Sequence, residues 1–452
     1  MNAAVRIYLV WLLAMVFSMG GGFNRASAQD GVAYEPDEVV VKLVQTGDLG
    51  SVAADFQLAL PPLDQFGARP IYRLRILDGG TPPEKAEALL GDSRVLYAEP
   101  NYLQQTPEGQ QRISWARGGS ASEYAAQWAG AYMGLPAAHT VTRGEGVIVA
   151  VLDTGIDRTH PALLGRVLSG YDFVDMDTNP DEVGVAGDDI TFGHGTHVAG
   201  LVALAAPAAQ ILPVRVLDQD GAGNIWVLAE ALAYAVNPDG DLDTPDGAHV
   251  INLSISTLRR TALLNEIVRD VICADDDDND DDNDDDSGRR RALDDDDECL
   301  ASDGRGAVVV AAAGNRGSST PEYPAAEGLA GLLAVAAHTE NGALADFSNR
   351  GAWVHLAAPG DRILSSVPAN DYGVWSGTSM AAPLVAGQSA LVRALYPLSS
   401  TVEVAVHIQR TAIPAAAGEG PPQIDAAAAV GLRATARPIT SLRQLYLPLL
   451  SR

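Results

Sequence analysis

A chain of 452 residues with 47% hydrophobic and 19% charged residues has the material for a buried core and room for about two to three domains, which excludes a disordered protein. Its formal charge of −28 excludes a nucleic-acid binder, whose phosphates call for a basic face.

The chain opens with one cation, Arg6, then the apolar run "IYLVWLLAMVFSMGGGF" and the small residues "ASA" at Ala26 to Ala28. This is the pattern of a secretory leader over 1–28, with the exported chain starting near Gln29. The run falls short of the ~20 apolar residues that a membrane span needs, and no later segment reaches that length, so the mature form is expected to be secreted and free of membrane.

Residues 29–110 read as a small α+β unit. "EVVVKLV", "IYRLRIL" and "VLYAEPNY" have strand character, and "PEKAEALLGD" has the acidic start of a helix. The polar stretch "QTPEGQQRISWARGGS" follows, and a linker is expected over 111–127.

Residues 128–432 alternate short apolar runs with helical segments. "VIVAVLD", "ILPVRVLD", "HVINLSIS", "AVVVAAAGN" and "LLAVAAHT" are separated by stretches such as "IWVLAEALAYAV" and "ALLNEIVRDVI". Continuous strand hydrophobicity means burial on both faces, which predicts a doubly wound α/β domain with a mainly parallel sheet. Chemistry in such sheets sits at the carboxyl ends of the strands.

Within this domain, fifteen acids and three arginines lie between Cys273 and Cys299, the only cysteines. Two cysteines in an exported chain are expected to pair, closing 273–299 into a loop, although spacing alone does not fix the geometry. The acids offer hard oxygen ligands at the alternate spacing of calcium loops, and they equally suit a solvated low-complexity loop. "NPDGDLDTPDG", from Asn237 to Gly247, invites the same two readings. The tail 433–452, ending "QLYLPLLSR", is open between an edge strand, disorder and a terminal sorting tag.

Three motifs carry chemistry. "VLDTGID" puts Asp153 at a strand end, "GHGTHVAG" puts His194 at a helix start, and "SGTSMAAPLVAG" puts Ser379 at another helix start. A carboxylate, an imidazole and a hydroxyl are what nucleophilic acyl transfer requires, with Ser379 attacking, His194 moving the proton and Asp153 orienting the imidazole. The order Asp, His, Ser and the absence of a Gly-x-Ser-x-Gly elbow separate the chain from the α/β-hydrolases.

With these motifs in this order, the chain resembles the subtilisin-like serine proteases from Trp128 to Leu432, and the unit before it resembles the inhibitor-like propeptide of that family. The resemblance implies an oxyanion hole from the Asn315 amide and the Ser379 N–H. It implies that a substrate peptide adds as a strand between Gly221, Ala222, Gly223 and Ser254, Ile255, Ser256. Relatives usually carry glycine where Ser256 stands, a change expected to narrow the pocket for the residue before the scissile bond. Ala312, Ala313 and Gly314 form the other wall of that pocket and Glu322 its floor, where a carboxylate is expected to favour lysine or arginine. Arg112 and Arg117 lie in the linker, where self-cleavage is expected. His160 and His197 match supporting positions, and the other histidines lack a partner at metal-binding spacing. Ala162 stands where many relatives carry an acidic calcium ligand, which puts their tight calcium site in doubt.

The expectation is a secreted serine endopeptidase, monomeric, acting on protein or peptide substrates and inhibited by its own propeptide. Catalysis needs no cofactor, and calcium would serve only stability. The rival is a catalytically silent, calcium-binding surface protein on the same scaffold. A processing protease for one partner differs only in substrate breadth.

Overall fold

The computed structural model describes residues 26–27, 33–111, 115–241, 244–273, 306–415 and 420–432. The acidic stretch from 274, Cys299, Arg112, most of the expected leader and the tail from 433 lie outside them.

The small N-terminal unit is an antiparallel sheet. Ala33–Leu43 is its centre, paired on one side with Ile71–Arg75 and on the other with Val95–Gln105. The helix Pro82–Leu90 packs on it behind a capping box, in which the Thr81 hydroxyl and the Glu84 carboxylate each satisfy the other's backbone N–H. Val39, Val41 and Leu43 point to the core shared with Leu74 and Leu89, as strand alternation requires.

The large unit has a seven-stranded sheet in which every pairing is parallel. Its spatial order is Leu356–Pro359, Leu332–His338, Val308–Ala312, Val250–Leu253, Ile148–Asp153, Gln210–Arg215, Tyr171–Asp172. Val149 and Val151 enter one core with Val198 and Leu201 of helix His194–Ala205 and Leu384 of helix Thr378–Leu395. Ile148, Ala150 and Leu152 enter a second core with Trp226 of helix Ile225–Val236 and Ile267 of helix Ala262–Cys273. Burial on both faces is what the unbroken apolar runs encode, so the doubly wound α/β expectation holds. The chain winds outward in opposite directions from Ile148–Asp153, and the carboxyl end of that strand is where a sheet of this topology places its crevice.

The two units share a sheet and a core. Ala222–Asn224 of the large unit pairs antiparallel with Leu103 to Gln105 of the small one. Val40, Phe66 and Ile71 pack into the second core. The expected linker 111–127 is more structured than its polar composition suggested. Helix Pro107–Gln111 straddles its start, Ala116–Arg117 pairs with Gly373 and Val374, and Ala121–Ala126 is helical. Trp115 anchors this segment by donating its indole N–H to the Phe192 carbonyl at 2.8 Å.

Candidate active site

Asp153 ends the central strand and is fully buried. Its Oδ1 accepts from the Thr154 N–H at 2.8 Å and from His194 Nδ1 at 2.7 Å. His194 starts its helix directly after Gly193, whose φ of 89° and contact with Pro368 leave no place for a side chain. Ser379 lies in the first turn of the long buried helix Thr378–Leu395. Asn315 follows the strand Val308–Ala312, and its Oδ1 accepts from the Thr378 N–H and hydroxyl, both at 2.9 Å, which turns Nδ2 into the crevice. All four side chains are buried.

Three of them, Ser379, His194 and Asn315, converge on one carboxylate that the sequence did not announce. Glu108, in helix Pro107–Gln111, accepts from Ser379 Oγ at 2.6 Å and His194 Nε2 at 3.2 Å on Oε2, and from Asn315 Nδ2 at 2.7 Å on Oε1. It is fully buried, and a Cβ on Gly377 would stand 1.7 Å from its Oε1, so only glycine admits it. Burial alone would lower the His194 pKa, but the Asp153 and Glu108 carboxylates outweigh it and raise it to about 10. With a carboxylate on each nitrogen, the ring carries both protons and cannot accept another.

The two segments expected to hold substrate, at Gly221 and Ser256, are both bonded to the small unit. Gln105 exchanges both backbone hydrogen bonds with Ser256, at 2.9 and 3.1 Å, and Thr106 N–H donates to the Gly221 carbonyl at 3.0 Å. Ser254 Oγ donates to the Ser379 carbonyl at 3.1 Å, tying the second edge to the serine. The expected pocket walls also meet. Ala312 and Ala313 are buried beside Gly314, where an added Cβ would lie 2.6 Å from the Glu322 carboxyl. Glu322 accepts from Ser256 Oγ at 2.6 Å and from Asn349 Nδ2 at 2.7 Å.

Residues 144–437 match the subtilase family, and residues 24–101 match the fervidolysin N-terminal prodomain. The chain belongs to the subtilase family.

This subtilase is 33% identical over 400 residues to the thermophilic serine proteinase of Bacillus sp. (strain AK1), covering 84% of this chain and 83% of that protein. It is 34% identical to thermitase of Thermoactinomyces vulgaris, over 60% of this chain and 83% of thermitase. Among solved structures, fervidolysin from Fervidobacterium pennivorans, described as a keratinolytic enzyme related to subtilisin, superposes with a TM-score of 0.65 at 22% identity, covering 89% of this chain and 62% of fervidolysin. A protease from Pseudoalteromonas arctica gives a TM-score of 0.54 at 28% identity, covering 69% of this chain and 98% of that one. The chain is therefore a subtilisin-like serine protease with an N-terminal prodomain.

In this subtilase the remaining histidines serve the backbone. His160 Nε2 donates to the Asp371 carbonyl and His197 Nε2 to those of Ile363 and Gly373. His197 is pushed down to about 3 by burial and by neighbouring His194, so it stays neutral. His139 and His407 donate to carbonyls, and the Nδ1 atoms of His249 and His355 accept backbone N–H groups.

Glu182 is a second residue the sequence did not announce. It accepts from the hydroxyls of Thr154 at 2.6 Å and Thr196 at 2.8 Å, joining the loop after Asp153 to the helix of His194. Burial raises its pKa to about 7, with the Asp153 charge adding to the rise. No described residues form a cluster that could hold a metal ion. Among the described residues from Asn237 to Gly247, the Asp239 carboxylate accepts from the Asp241 N–H and the Thr244 hydroxyl.

Proposed function

We propose that Asp153, His194 and Ser379 are the catalytic triad of a secreted, self-processing endopeptidase, with Asn315 in its oxyanion hole. The observation that carries this is the convergence of Ser379 Oγ, His194 Nε2 and Asn315 Nδ2 on the two oxygens of Glu108. A hydroxyl, a ring nitrogen and an amide donor gathered around one carboxylate are equally suited to gather around a scissile carbonyl.

Ser379 Oγ attacks the carbonyl carbon as His194 takes its proton, and the oxyanion is held by Asn315 Nδ2 and the Ser379 N–H. The C–N bond then breaks, the proton passes to the leaving amine, and water repeats the sequence on the acyl-enzyme. Asp153 stabilises the imidazolium throughout. Nothing in this chemistry calls for a cofactor. The prodomain inhibits by filling the edges and, through Glu108, the centre.

The test is to express 29–452 as wild type and Ser379→Ala, follow prodomain release by intact mass, and label both with a fluorophosphonate. Cleavage and labelling of the wild type alone is expected. A folded wild type that is neither cut nor labelled would restore the silent, calcium-binding reading, which the converging side chains otherwise disfavour. The Cys273 to Cys299 bridge and calcium in the acidic loop belong to the same proposal. Calorimetry that shows no calcium heat removed by deletion of 275–298 would refute the calcium part.

A further inference from the structure

Helix Pro107–Gln111 sends a second side chain into the cleft, and that side chain meets the pocket beside the serine. Gln110 Nε2 donates to Ser256 Oγ at 3.1 Å and to its carbonyl at 3.4 Å. Gln110 Oε1 accepts from Arg316 Nη2 at 2.9 Å and Nε at 3.3 Å. A primary amide has one accepting and one donating end, and here each end meets a group of the opposite kind. The amide cannot be reversed, because a guanidinium has only donors.

The residues behind hold that polarity in place. Ser256 Oγ commits its proton to Glu322 Oε2 at 2.6 Å, so it faces the pocket as an acceptor. Glu322 is 1% exposed, and its other oxygen is engaged by Asn349 and lies 3.4 Å from Arg316 Nε. Arg316 thus occupies the place that a substrate cation was expected to take. The charge argument for lysine or arginine loses its ground, because Glu322 already has a cationic neighbour and Arg316 would repel a second cation. A substrate carboxylate would suit Arg316 but would turn an oxygen against the Ser256 oxygen. An aromatic side chain would strip water from Ser256 and Arg316 and return no hydrogen bond.

We propose that Ser256, Arg316 and Glu322 form a carboxamide-selective pocket, so that this protease prefers glutamine before the scissile bond. The proposal rests on the triad reading above and adds the substrate class. Gln110 is the chain's own occupant of the pocket, held there while Glu108 blocks the centre.

The experiment uses the matured enzyme from the full chain. Peptides that differ only in the residue before the scissile bond carry glutamine, asparagine, glutamate, lysine or phenylalanine, and kcat/KM is measured for wild type, Arg316→Ala and Ser256→Gly. Fluorophosphonate labelling of each protein reports whether its centre is assembled. Glutamine should lead phenylalanine and lysine by about tenfold or more in the wild type, as a hydrogen bond to a charged partner implies. Each variant should lower the glutamine-to-phenylalanine ratio by about tenfold. A labelled wild type that prefers phenylalanine or lysine would overturn the pocket and leave the protease reading standing. So would a glutamine preference unmoved in both labelled variants. An unlabelled wild type would overturn both.

Discussion

Glu108 Oε2 lies 2.6 Å from the hydroxyl of Ser379, on a chain segment that must leave before a substrate carbonyl can reach that hydroxyl. The contact is fully buried and charge-assisted. Glu108→Ala should therefore speed fluorophosphonate labelling of the uncut chain by about tenfold or more. Equal labelling rates for wild type and variant would show that strand occupancy alone inhibits.

Asn315→Ala should lower kcat of the matured enzyme by about two to three powers of ten, the loss seen when a subtilisin is stripped of such an amide. KM should change little, because the amide acts on the oxyanion. Steady-state kinetics on a single peptide decide this, and a fall confined to KM would remove Asn315 from the oxyanion hole.

The pairing of His194 with Glu108 predicts a pH dependence. His194 keeps its proton up to about 10 while both carboxylates flank it. A raised imidazole pKa stabilises the docked state fully below the ordinary value near 6.5, and that stability is lost as pH rises through about 10. Prodomain release should accelerate toward pH 10, and Glu108→Gln should shift the acceleration to lower pH. Intact mass against time at stepped pH reads both.

A second carboxylate adds to the same trend. Glu99 of the prodomain accepts from the N–H groups of Ala262 and Leu263 at 2.8 and 3.0 Å, capping helix Ala262–Cys273. Burial nevertheless raises it to about 7, against those bonds, with Glu327 and Glu266 adding to the rise. Lys42, Arg69 and Arg260 lie around this interface as partners of Glu266, Asp270 and Glu327. A carboxyl raised in the complex holds a proton that the free prodomain gives up, so association weakens between the ordinary value near 4.5 and about 7 and then levels off. Dissociation of the cut but still associated complex should quicken across that window, and Glu99→Gln should flatten the dependence.

The scaffold and the candidate reacting groups were legible for separate reasons. "VIVAVLD" is apolar at every position before Asp153 because both faces of that strand are buried, a pattern that periodicity exposes directly. Asp153, His194 and Ser379 stand in long motifs at element ends. Glu108 was not legible, because its role exists only across separations of 86, 207 and 271 residues. A local signal was available in "TPEGQ", where Thr106 Oγ1 accepts from the Gly109 N–H and proline opens the helix. That pattern marks a helix start inside a stretch read as linker, but it says nothing of where the carboxylate goes. The strand Ile363–Val367 escaped notice for a different reason. Ser365 and Ser366 give it a polar look, yet both are buried because their hydroxyls donate to the carbonyls of His197 and Thr196.

The sheet shared by the two units separates cutting from liberation. Severing the chain beyond Gln105 breaks none of the bonds that hold Val95–Gln105 to Ala222–Asn224 and Ser256. What is lost is the tether, and with it an effective concentration on the order of millimolar. On the proposed self-processing, the severed prodomain would behave as a tight ligand whose own digestion sets the enzyme free. Each liberated molecule would then destroy the inhibitors of its neighbours, so activity should appear after a lag that shortens as the protein becomes more concentrated.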